Sequence, residues 1–249
     1  MYISKSTFFV LAVVVFVMTL SVTVFRKNKV NATSHQQVRQ NPKRGYEDKR
    51  ERYPVADYDE KEPTDPAKRT KLRLQKKRYD KDAPFTNPGQ SDEELAFRPE
   101  AQFNFPDFPI TKSDVIVIAE VLDGKAHRSE NKMNVFSNFE IRVNEILKGN
   151  NLQIGDIITI ERVGGYVAYP NGRKVLFRLS GNGMPAVGAR YAFFLAVNDD
   201  NYTIVTGYEL GEEGVKPLDN SQQFQQHYGE LEESFIKKLR NAITEMPRE

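Results

Sequence analysis

The segment Asp114-Val-Ile-Val-Ile-Ala-Glu-Val-Leu122 constrains the fold most, because its apolar, largely β-branched residues point to both faces in succession, as in a strand buried on two sides. A second segment, Val135 to Leu147, alternates. Phe139, Ile141, Val143 and Leu147 fall on one side and Glu140, Arg142 and Asn144 on the other, the period-2 pattern of a half-exposed strand. Asp123-Gly124 ends the first segment, and the polar run Lys125 to Met133 reads as a loop. Together the two segments predict a compact β domain.

The signals that follow extend it. Gly155 to Val163 reads as a third strand, and Gly164-Gly165 as a bulge or sharp bend of the kind that closes small barrels. Val167 to Tyr169 and Lys174 to Phe177 flank Asn171-Gly172, a strong hairpin signal. Gly181, Gly183, Pro185 and Gly188 predict an irregular surface loop over Ser180 to Gly188. Arg190 to Val197 and Tyr202 to Tyr208 pair across Asn198-Asp-Asp-Asn201. Short strands with tight turns, in this number, predict a mainly β domain over residues 109–218, an OB-like barrel or a β-sandwich.

Beyond Leu218 the period changes. Asp219, Asn220 or Ser221 is placed to cap a helix, and Phe224, Tyr228, Leu231, Phe235, Leu239, Ala242 and Met246 recur at three- and four-residue spacing. The pattern predicts a C-terminal helix over 219–246, packed on the β domain and ended by Pro247.

The N-terminal third is of another kind. After a short flank, residues 1–6, Thr7 to Phe25 runs without a charge, close to the roughly 20 residues that cross a bilayer as a helix. No small-x-small cleavage site follows, so the run reads as an uncleaved signal anchor. Arg26, Lys27 and Lys29 outweigh Lys5, and the positive-inside rule by itself would keep the body in the cytoplasm. Residues 26–108 are rich in charged residues and proline with scattered apolar positions, the composition of a disordered tether. Its most basic part, Lys68 to Lys81, has the makings of a short helix facing solvent, anionic lipid or nucleic acid. At its end Phe97, Phe103, Phe105 and Phe108 predict a strap lying on the β domain.

Charge divides the same way. Arg26 to Asp82 holds 18 Lys/Arg against 10 Asp/Glu, and Ala83 to Glu249 holds 17 against 24. A basic arm precedes an acidic body. The chain has no cysteine and only three histidines, His35, His127 and His227, in separate regions. Disulfides and thiolate chemistry are excluded, and nothing calls for a cofactor or a metal. Adjacent acids at Asp199-Asp200, Glu212-Glu213 and Glu232-Glu233 lack the opposed placement of an acid–base pair, and no nucleophile elbow surrounds a serine.

The strand sequences Ser113-Asp-Val-Ile-Val-Ile-Ala-Glu-Val121, Val143-Asn-Glu-Ile-Leu-Lys-Gly149, Gly155-Asp-Ile-Ile-Thr-Ile160 and Gly188-Ala-Arg-Tyr-Ala-Phe-Phe-Leu195 resemble a group of uncharacterised bacterial proteins, many membrane-anchored or exported. More distantly, the same run is similar to netrin and metalloproteinase-inhibitor modules, whose core is a five-stranded OB-type barrel. The inhibitors act through an amino-terminal cysteine, absent here, so that mechanism does not transfer. The first resemblance implies a single-pass protein of the cytoplasmic membrane with an extracytoplasmic body, against the charge rule.

The expectation for function is therefore a non-catalytic binding module of the bacterial cell envelope meeting a protein, peptide or glycan. Aromatic and arginine side chains dominate binding hot spots, which singles out Arg162, Tyr166, Tyr169, Arg173, Lys174, Phe177 and Arg178, with the Ser180 to Gly188 loop beside them. The alternatives are a cytoplasmic-facing OB-like nucleic-acid binder using those same side chains, and an uncatalogued hydrolase.

Overall fold

A computed structural model of the chain describes residues 53–85, 95–98, 105–149, 151–198 and 201–246. The apolar run at 7–25 and the first half of the basic arm lie outside the described residues. Among those described, no helix is long and apolar enough to cross a membrane. In chain order the elements are β1 (Val55–Asp57), α1 (Pro66–Tyr79), β2 (Leu95–Arg98), β3 (Val115–Arg128), β4 (Val135–Lys148) and β5 (Ile157–Val163). There follow β6 (Gly165–Ala168), β7 (Lys174–Leu179), β8 (Arg190–Asn198), β9 (Asn201–Leu210), β10 (Lys216–Pro217), α2 (Gln222–Gln225) and α3 (Glu232–Thr244).

Five strands close a barrel in the order β3-β4-β5-β9-β8 and back to β3. Every pairing within the barrel is antiparallel except β5 with β9. The β3–β4 ladder breaks register at three places, among them Val121/Asp123, and such bulges bend long strands enough for closure. The two-sided apolar pattern of β3 now has its reason. Val115, Val117, Ala119 and Val121 face the interior with Phe139, Ile141, Tyr191 and Phe193. Ile116 and Ile118 face outward, under Phe235 and Leu239 of α3.

The C-terminal helix is present but broken. Gly229, at φ +76, separates α2 from α3, so the stripe expected over 219–246 is not continuous. Phe224, Phe235 and Leu239 are buried, whereas Tyr228 and Leu231 are 65% and 74% exposed. The helix also ends at Thr244, before Pro247.

The Ser180 to Gly188 loop differs from its expected surface role: Met184 is buried within the barrel's interior cluster, so the loop helps to fill the barrel. Gly164 and Gly165, at φ +108 and +143, turn the chain from β5 into β6 as expected. A Cβ on Gly165 would stand 2.6 Å from Ser137 Oγ.

The tether reading of 26–108 fails over residues 53–85. There β1 pairs in parallel with β6, and α1 starts at an Asp65 cap that accepts from Ala67 N at 2.8 Å. The helix buries Leu72, Gln75 and Tyr79. Tyr79 stacks on Phe136 with 4.3 Å between centroids. This stripe is hidden from average hydropathy because its middle residue is a glutamine, satisfied by Asn138 Nδ2 at 3.2 Å. Within the stretch expected to form the strap, the β2 backbone pairs in parallel with β7, and Phe108 stacks on His227 at 4.7 Å.

Candidate functional site

Three separate pieces of chain meet at a groove of ≈ 350 Å³. The β6–β7 hairpin supplies Tyr169, Asn171, Arg173, Val175 and Phe177, the β3–β4 turn supplies Lys132 and Met133, and the end of the arm supplies Phe85. Phe85 meets Phe177 edge-on at 5.5 Å, and Met133 is 53% exposed. The floor is thus apolar and the rim carries two cations, with no carboxylate among the lining residues. An apolar surface with a few polar groups at its edge is the usual composition of a ligand site.

The groove is built, because the arm shapes the turn beside it. Asn131 N donates to Asp80 Oδ1 at 2.9 Å, and Asn134 Nδ2 donates to the Tyr79 carbonyl at 2.9 Å. Lys132 takes φ +63, a left-handed conformation that a non-glycine residue adopts only when its surroundings hold it there. Arg128 lies over the Tyr58 ring at 4.3 Å, and Tyr58 packs on Tyr169 at 5.0 Å.

Two ionic clasps fasten the arm to the barrel. Glu60, nearly buried, meets His127 Nδ1 at 2.9 Å, Lys125 Nζ at 2.9 Å and Lys76 Nζ at 3.0 Å. Burial, the largest single influence, pushes its carboxyl up, but His127, Lys125 and Lys76 together outweigh it and hold the group at about 2. Arg78 of α1 pairs with both oxygens of Glu161 on β5. There burial wins: it raises the Glu161 carboxyl above its ordinary range, against the pull of Arg78 and Thr203.

The predicted site residues divide. Tyr169, Arg173 and Phe177 line the groove. Lys174 is exposed at the start of β7 and Arg178 is half-buried on it. Tyr166 is half-buried and stacks on Tyr53 at 6.3 Å. Arg162 is a correction: it is buried and paired with Asp219, which also accepts from Thr206 Oγ1 and Gly183 N. It shares a face of β5 with Ile158 and Ile160, which pack in the barrel interior, and so points inward with them. Phe85, Lys132 and Met133 escaped the sequence reading. An isolated phenylalanine at the end of a charged arm and two residues of a polar turn carry no periodic signal.

A further cluster lies below α3. His227 has Nδ1 at 3.0 Å from Glu230 and Nε2 at 3.3 Å from Asp107, beside a depression of ≈ 510 Å³. Burial pushes the Glu230 carboxyl up, yet Lys238, His227 and Ser234 bring it down to about 2. This cluster ties the strap to the C-terminal helices. Among the described residues, no group of three or more His, Asp or Glu is placed to hold a metal ion.

No protein-family model matches this chain, and no curated protein does.

Proposed function

We propose that the protein is a non-catalytic binding module, anchored through residues 7–25 with its body outside the cytoplasmic membrane of a bacterial cell, and that the groove grips a short apolar segment of a partner carrying acidic residues. The observation that carries this reading is the groove itself, with its apolar floor, its cationic rim of Lys132 and Arg173, and a turn held in shape by the arm. A volume of ≈ 350 Å³ suits one or two large side chains. Specificity would come from carboxylates pairing with the rim cations.

The barrel is of the OB type in this reading, with β4 and β5 as its second and third strands. That face and the neighbouring loops bind oligonucleotides in other OB folds. Here α1 lies across it, through Gln75 on Asn138, Arg78 on Glu161 and Tyr79 on Phe136. The helix therefore disfavours a nucleic-acid role for that face. Glu60 and Glu230, whose carboxyls are held at about 2 by their cationic neighbours, sit in clasps outside the groove lining.

The test is a peptide-display library varied in Asp/Glu and in Phe, Tyr and Leu, screened against the full chain. Acid-flanked aromatic peptides are expected to be selected, with affinity falling at least tenfold in F177A and in R173E. Selection without that composition, or unchanged affinity in both variants, would refute the site. A C-terminal tag digested from outside intact spheroplasts is the outcome expected for the proposed topology, and protection until lysis would refute it.

A further inference from the structure

The helix α1 holds seven cations and no acid in fourteen residues, and the structure sorts them. Arg73 pairs with Glu62, Lys76 with Glu60 and Arg78 with Glu161. The buried stripe at Leu72, Gln75 and Tyr79 sets which side meets the barrel. On the other side Thr70, Leu74, Lys77 and, one turn on, Lys81 are exposed, with Lys71 exposed on the flank. Leu74 is 66% exposed amid these lysines. A helix face made mainly of lysines matches a surface with dense negative charge, such as the headgroup layer of an anionic bilayer.

We propose that this outer face of α1 docks on the anionic lipid headgroups of the membrane in which the chain is anchored. The inference rests on the anchoring of residues 7–25. Only 27 residues separate Phe25 from Tyr53, a stretch of chain that can span no more than about 95 Å. Docking would give the module a second attachment and fix which way its groove faces. Each lysine near such a surface is worth about a factor of five in partitioning.

The chain has no cysteine, so a single one carries an unambiguous probe. T70C in the full chain, labelled with an environment-sensitive fluorophore, is mixed with phosphatidylcholine vesicles containing or lacking phosphatidylglycerol and a headgroup quencher. Quenching is expected only with the anionic lipid, reversed by high salt and reduced roughly a hundredfold in apparent affinity by K71E/K77E/K81E. The same label at E233C on α3 is expected to stay unquenched. Equal quenching with both lipids, none with either, or insensitivity to the triple change would overturn the proposal. So would a probe that answers to single-stranded DNA in place of anionic vesicles. Whether the chain floats with vesicles after an alkaline carbonate wash reports the anchor separately. Soluble chain whose probe still answers to anionic vesicles would sink the anchor and keep the docking face.

Discussion

The clasp at Glu60 lets stability be worked out from a single side chain. In the folded protein its carboxyl is held at about 2, against an ordinary 4.5. A folded-state value below the unfolded one means stabilisation that is fully present above the unfolded value and is lost as pH falls through the folded one. The drop corresponds to about 3 kcal/mol at neutral pH, discounted to roughly 2–3 kcal/mol because Lys125 is more than half exposed and its contribution is screened. Glu60→Gln keeps the size of the side chain and removes its charge, leaving Lys76, Lys125 and His127 facing one another without an anion. Urea unfolding of both proteins between pH 7 and pH 2.5, with amide exchange read on α1, measures the difference. We expect a gap of roughly 2–3 kcal/mol from pH 7 down to about 5, shrinking as pH falls from about 4.5 towards 2. Faster exchange should appear first in α1, the element the clasp holds. A gap that does not change with pH, or one below about 0.5 kcal/mol at pH 7, would show that the clasp does not hold the arm.

Gly165→Ala places a Cβ against Ser137 Oγ and Ala126 Cβ at a positive φ and should cost roughly 2–4 kcal/mol, read as a lowered melting temperature. Arg162→Met strands the buried Asp219 carboxylate and should cost about 3–5 kcal/mol in urea unfolding, most of it recovered by the double change R162M/D219L. Phe235→Ala empties a fully buried position between α3 and the barrel and should cost about 3–5 kcal/mol. The pair Y228S/L231S, at exposed positions of the same predicted stripe, should shift stability by less than about 0.5 kcal/mol.

How much of this was legible follows from what kind of signal each element carries. The barrel strands announce themselves by period, and β3 by its apolar residues on both faces, because a strand covered on two sides leaves a continuous run whatever covers it. The Asn171-Gly172 hairpin and the Gly164-Gly165 bend are legible because their backbone angles restrict residue choice. The helix α1 was not legible as part of the fold. Its buried stripe is three residues wide with a glutamine at its centre, and Gln75 has a partner only once Asn138 is brought beside it, 63 residues away in sequence. The same limit applies to Arg162, whose composition suits an exposed hot spot until Asp219 meets it inside.

By itself the sequence determined a mainly β body, its turns, a C-terminal helical region and three lining residues of the groove, since period and backbone restriction act between neighbours along the chain. Only the tertiary structure decided that residues 53–85 of the arm are part of the body, that Gly229 divides the helical stripe, and that Phe85, Lys132 and Met133 complete the groove. Those outcomes depend on charge pairs and ring contacts between distant segments, which have no energy, and so leave no pattern, until the barrel brings them together.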